Sequence, residues 1–151
     1  MSIKIVSITV FRVKNSRIEF LLLRRLSSLG GFWQSPGGKR EKKDVSLKIA
    51  ALREVYEETG ITKKDILRYI PTYHKFSFDK HYFTNKPIPT IYENVVGLKV
   101  KSDVNISMKN NLIPEHNTFA WVSYKKAISM LKWQNNKDAF HKFYKLILEK
   151  R

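Results

Sequence analysis

Three glutamates, Glu54, Glu57 and Glu58, stand three and four residues apart in the segment Arg53-Glu54-Val55-Tyr56-Glu57-Glu58-Thr59-Gly60-Ile61. On a helix that spacing places the three carboxylates on adjacent turns of one face. Like charges so placed repel by about a few tenths of a kcal/mol per exposed pair. Two of them fall in the last turn before Gly60, where the helix dipole disfavours negative charge. A hard divalent cation removes that cost, because Mg²⁺ and Mn²⁺ take oxygen ligands. A solvated acidic face is the other reading, and the helix alone leaves both open. Arg53 can offset part of the charge through Glu57, four residues on.

Acidic residues are otherwise scarce. The chain has 151 residues with 29 Lys and Arg against 13 Asp and Glu, a formal charge of +16. Four of those 13 lie between Asp44 and Glu58. So basic a chain favours anionic partners: phosphorylated small molecules, RNA, DNA or acidic surfaces. A general lysine-rich composition gives the same charge, so the local acidic cluster is the sharper signal.

The surrounding pattern says what must position these residues. Ile3 to Lys14 is rich in β-branched residues and apolar on both faces, as in a strand covered on two sides. Asn15-Ser16-Arg17 reads as a turn into a second strand, Ile18 to Arg25. Pro36-Gly37-Gly38 reads as a tight turn whose backbone can approach a ligand. Ser46 is a plausible N-cap for a helix over Leu47 to Thr59, with Gly60 as its C-terminal cap. Leu52, Val55, Tyr56 and Thr59 would form that helix's packing face. Strands are expected over Arg68 to Phe78, Ile91 to Val100 and Thr118 to Val122, with a loop from Asp79 to Thr90. Helices follow over Tyr124 to Leu131 and Asp138 to Lys150, the last with a stripe of Phe140, Phe143, Tyr144, Ile147 and Leu148. This order implies an α/β fold: a mixed sheet covered by helices on its faces.

The length fits a single domain over residues 1–151. There are no cysteines, which excludes disulfides and thiolate metal sites. No apolar run approaches about 18 residues and the N-terminus lacks signal-peptide features, so no membrane partner is expected and cytoplasm is the default compartment.

Gly38 to Ile61 resembles the Nudix box, G-x5-E-x7-R-E-U-x-E-E-x-G-U with U aliphatic. Arg53 to Ile61 matches at every fixed position. The first half departs: the expected glutamate is Asp44, and eight residues rather than seven separate it from Arg53. One extra residue near Val45 accounts for this and leaves the helix phase intact, but it puts the family's structural role for Asp44 in question. Phe32-Trp33-Gln34-Ser35, Glu115-His116 followed by Phe119-Ala120-Trp121-Val122, and Lys132-Trp133-Gln134-Asn135 are similar, in order, to the branch that hydrolyses dATP and dihydroneopterin triphosphate.

The resemblance implies a Nudix-type α/β/α sandwich and a pyrophosphohydrolase using Mg²⁺, with Mn²⁺ an alternative. It implies Glu54, Glu57 and Glu58 as metal ligands, with Glu115 and the Gly37 carbonyl as further ones. Arg53 would orient the cluster, and Glu54, Glu57 or Glu115 would act as general base. Arg24 and Arg25 face opposite ways; Arg24 resembles the branch's basic position and is expected, with Lys39, Gly38 and Trp33, to bind substrate. Phe32, Tyr73, Phe76 and Tyr82 are further rings able to stack on a base, although core packing is their commoner use. The expected substrate is a nucleoside or pterin triphosphate. Two alternatives stand beside it: action on RNA 5′ ends or dinucleotide polyphosphates, and a non-catalytic nucleotide-binding module with the same fold.

Overall fold

A computed structural model describes residues 2–81 and 84–149. Tyr82 and the expected helix end at Lys150 lie outside them. Strand β1 (Ile3–Lys14) turns back into β2 (Arg17–Arg25) through Asn15 and Ser16. Both turn residues have positive φ, 52° and 64°, the twist that a two-residue hairpin requires. Short strands β3 (Trp33–Gln34) and β4 (Gly37–Lys39) follow, then helix α1 (Leu47–Thr59). The long hairpin β5 (Ile66–Lys80) and β6 (Pro87–Val100) comes next, then β7 (His116–Val122) and helices α2 (Tyr124–Met130) and α3 (Gln134–Glu149). β1 lies between antiparallel β2 and parallel β6, so the sheet is mixed.

The two faces of the sheet carry separate cores. Val6, Ile8, Val10, Leu21 and Leu23 pack with Ala50, Ala51 and Val55 of α1. Phe11, Phe20, Leu22 and Ile70 pack with Ala127 of α2 and Phe140, Phe143 and Ile147 of α3. The expected α/β/α sandwich is therefore the fold, and β1 is buried on both sides as its composition implies.

Several expectations need correction. The loop expected from Asp79 to Thr90 is shorter than that, because β5 runs on to Lys80 and β6 begins at Pro87. Pro87 and Pro89 are tolerated because pairing with β1 starts only at Ile91, leaving no ladder on that side for them to break. Pro36-Gly37-Gly38 is not a tight turn: Gly37 and Gly38 are extended in β4, opposite Ser7 and Val6. Tyr56 is 46% exposed and does not join the packing face of α1. The buried stripe of α1 runs instead through Ala50, Ala51, Glu54, Val55, Glu58 and Thr59. The small side chains of Ala50 and Ala51 let the helix sit close to the sheet, which draws two carboxylates inward with them. On α3, Leu148 is 42% exposed, so the stripe narrows to Phe140, Phe143 and Ile147 with Tyr144 at its margin.

Phe143 ties the second core together. It is fully buried, and its ring lies 5.3 Å from Phe11 and 4.7 Å from Tyr73. A Cβ on Gly97 would overlap its ring, so strand and ring are in close contact. Phe143→Ala should lower unfolding free energy by about 3–5 kcal/mol in urea denaturation. A loss below about 1 kcal/mol would mean that α3 is held by something other than this ring cluster.

Candidate functional site

Helix α1 starts at Ser46, whose hydroxyl accepts from the Ile49 N–H at 3.1 Å. It stops at Gly60, whose positive φ of 76° lets its N–H bond to the Tyr56 carbonyl. Between these caps Arg53 organises the acidic residues. Its Nε and Nη2 donate to the two oxygens of Asp44 at 3.1 and 2.9 Å, a bidentate fork. Nη1 donates to Glu54 at 3.0 Å and to Glu57 at 3.3 Å, and Nη2 also reaches the Lys39 carbonyl.

Asp44 is buried and accepts a further bond from the Glu41 N–H at 2.8 Å. The Arg53 guanidinium holds its carboxyl down at about 2, so it is ionised at any working pH. Asp44 therefore fixes Arg53 despite its shorter side chain. Val45 shows how: at 85% exposure it projects into solvent, and the extra length of the loop is taken up there.

Glycine at 38 has a steric cause. A Cβ there would overlap the Glu54 carboxylate, and one on Gly37 would overlap the Val6 carbonyl oxygen. The Gly37 N–H faces Glu58 Oε1 at 3.4 Å, so its contact with the cluster is made through its donor.

Glu58 is the most deeply buried of the acids, at 4% exposure. Its Oε2 has no hydrogen-bond partner among the described residues. Burial, reinforced by neighbouring Glu54, pushes its pKa up to about 9. His116 Nδ1 lies 3.4 Å from that oxygen, but burial lowers the His116 pKa to about 4, so the contact is no ion pair at neutral pH. With the Gln34 amide donating to His116 Nε2 at 3.0 Å, the ring's single proton sits on Nδ1, on the Glu58 side but without a hydrogen bond to it. Burial also raises the Glu54 pKa.

A cavity of about 1080 Å³ joins these groups to the sheet face beneath α3. Gly37, Gly38, Lys39, Arg53, Glu54, Glu57, Glu58 and Glu115 all line it, as the sequence pattern implies. Arg24 and Trp33 do not. By strand alternation Arg24 follows Phe20 and Leu22; it is exposed and donates to the Gly31 carbonyl. Arg25 follows Leu21 and Leu23, lines the cavity, and sits 3.7 Å from Glu115. Trp33 packs in the second core, and Trp133 lines the cavity instead. Phe32 and Phe76 line it too, whereas Tyr73 packs on Phe143. Sequence reasoning misses Gln34, His116 and Arg25 as site residues; only the Glu115-His116 pair carries a signal.

Six of the protein's 13 acidic residues line this one cavity, against four Lys and Arg: Arg25, Lys39, Arg53 and Lys80. Burial raises the pKa of Glu54, Glu58 and Glu93 among them, so the cavity concentrates carboxylates whose ionised form a cation would favour. No three acidic or histidine side chains among the described residues already converge on a common point, because Arg53 holds Glu54 and Glu57. The donor set nonetheless fits a hard cation: oxygen donors only, one of them buried and unpartnered. Glu54, Glu57 and Glu58 would hold it, with Glu115 near enough to act electrostatically on Glu54 and Glu58.

The family model described as the NUDIX domain matches residues 3–144, and the chain belongs to this family. It is 32% identical over 113 residues to an RNA pyrophosphohydrolase from a Nitratiruptor species, covering 72% of this chain and 69% of that protein. It is 30% identical over 133 residues to an octanoyltransferase from Myxococcus xanthus; that match covers 88% of this chain but only 34% of the relative's length. Among solved structures, an Ap4A hydrolase from C. elegans in a binary complex gives a TM-score of 0.77 at 21% identity, covering 97% of this chain and 98% of that one. At that identity the likeness is one of fold.

The Glu58 environment has a signature in stability. Folded Glu58 keeps its proton to about pH 9, whereas the unfolded chain releases it near 4.5. Its contribution is thus complete below pH 4.5 and is lost as pH rises to about 9. His116 acts oppositely, losing stability as pH falls from 6.5 to about 4. In chelator the melting temperature should therefore fall between pH 6.5 and 9. Glu58→Gln should flatten that fall, and added Mg²⁺ should reduce it in the native protein. Equal slopes for both proteins would contradict the assigned environment.

Proposed function

We propose that the protein is a divalent-metal-dependent pyrophosphohydrolase. Its substrate is a nucleoside or pterin triphosphate, cleaved at a diphosphate linkage to a monophosphate and pyrophosphate. The observation carrying this reading is the Arg53-held glutamate cluster, with its unpartnered Glu58 oxygen, opening onto a cavity large enough for a nucleotide. The motif resemblance from Phe32 to Asn135 supports the triphosphate class.

Each residue's part follows from its place. Glu54, Glu57 and Glu58 hold Mg²⁺ or Mn²⁺, and Arg53 keeps Glu54 and Glu57 apart and oriented. The chemistry supplied by a cation there is polarisation of phosphate oxygens and acidification of water. Removal of the water's proton falls to Glu54, Glu57 or Glu115, each of which lines the cavity. Arg25 replaces Arg24 as the side chain that meets charge developing on the leaving phosphate, with Lys39 beside the glycines. Phe32, Phe76 and Trp133 line the same cavity and are the aromatic groups that a substrate ring would meet there.

Action on RNA 5′ ends is the second reading. The Nitratiruptor relative favours it, as does the charge of +16, because each phosphate neutralised adds affinity for a polyanion. Pyrophosphate release should be assayed on free triphosphates and on 5′-triphosphate RNA, with Mg²⁺ and with Mn²⁺. Free triphosphates should be the better substrates. The Glu57→Gln, Glu58→Gln double variant should lose roughly a hundredfold or more in kcat. Unchanged turnover in that variant would sink the catalytic assignment, and a preference for RNA would transfer it to the second reading.

A further inference from the structure

One half-buried carboxylate of the cavity takes no part in the cluster. Glu93 lies on β6, on the sheet face that forms the cavity floor. Its register partners are apolar: Ile5 on β1 and Phe76 on β5. The Ser7 hydroxyl donates to its Oε2 at 2.7 Å, and among the described residues no Lys or Arg offsets its charge. Burial accordingly raises its pKa. Ser7 lines the same cavity, as do Phe76, Phe78, Phe140 and Trp133. Among the described residues this carboxylate in an aromatic floor has a single donor, fewer than its two oxygens can accept, and the free protein gains nothing evident from it.

Resting on the triphosphate reading above, we infer that Glu93, steadied by Ser7, reads the substrate's ring by accepting two adjacent N–H donors from its edge. An ionised carboxylate only accepts, and its two oxygens match a ring N–H beside an exocyclic amino group. Guanine and pterin carry that edge. Adenine offers one donor and one acceptor there, which leaves a carboxylate oxygen facing a ring nitrogen lone pair. The flat aromatic walls suit either ring, so the edge is what Glu93 selects. Glu93 is thus a specificity-determining residue, separate from the metal-binding carboxylates.

Its test needs neither metal nor turnover. Binding of guanosine, neopterin and adenosine to the full chain is measured by calorimetry in chelator. Guanosine or neopterin should bind about tenfold or more tightly than adenosine, the discrimination of one good bidentate pair. The stronger of the two identifies the ring. Glu93→Gln presents one donor and one acceptor, and should erase or invert the ratio. Ser7→Ala, which leaves the carboxylate in place, should reduce it. Thermal melts confirm that both variants are folded. A native protein that binds adenosine as well or better, binds none of the three, or keeps its ratio in Glu93→Gln would overturn the inference. Failure of hydrolysis with the binding ratio intact would overturn only the function proposed above.

Discussion

The bidentate pair between Arg53 and buried Asp44 is the constraint on which the site rests. A guanidinium beside three glutamates on one helix would, if mobile, collapse onto whichever carboxylate it met first. Asp44 prevents this by occupying Nε and Nη2, so that Nη1 alone is left for Glu54 and Glu57. The pair also ties the loop before α1 to the helix, and through the Lys39 carbonyl it ties both to β4. Loop, strand and helix are thereby set around one charge. The close fit of Gly38 against Glu54 follows from that arrangement.

A second consequence concerns where negative charge is kept. The protein as a whole is strongly basic, yet six glutamates line one cavity. Packing the Ala50–Ala51 face of α1 close to the sheet buries Glu54 and Glu58 with it. Burial of Glu58 without a partner for Oε2 is unfavourable in the free protein, and a cation reverses that sign. The chain's net positive charge and Arg25, Lys39 and Lys80 at the cavity wall favour anions, and a cation held at the acidic centre would add to that attraction.

Much of this is legible in the residues. Strand boundaries at Ile3–Lys14, the caps at Ser46 and Gly60, and the three-layer order all follow from local patterns that tertiary packing does not override. The failures share a cause: periodicity gives the parity of a strand or the phase of a helix, but not which partner covers which face. Arg24 and Arg25 differ only in parity, and choosing between them requires knowing that α1 lies on the side of Leu21 and Leu23. Tyr56 reads as inward-facing because its helical spacing groups it with Leu52, Val55 and Thr59, while the smaller Ala50 and Ala51 set the packing face. Glycines at 37 and 38 point to a turn, whereas their missing side chains serve close contacts in a strand. Asp44 looks compromised by the inserted residue, and only the outward projection of Val45 shows that the loop absorbs it. Glu93 and Ser7 lie 86 residues apart and carry no motif, so only the sheet register reveals them.

The central claim is that the Arg53-ordered glutamates form a divalent cation site. Diffraction at the manganese absorption edge, from crystals of the full chain grown with Mn²⁺, tests it most directly. The expected result is an anomalous peak bonded to Glu58 and Glu54, with the Arg53–Asp44 fork intact beside it. Manganese bound elsewhere, with Glu58 still turned to His116 and no peak at the cluster, would contradict it.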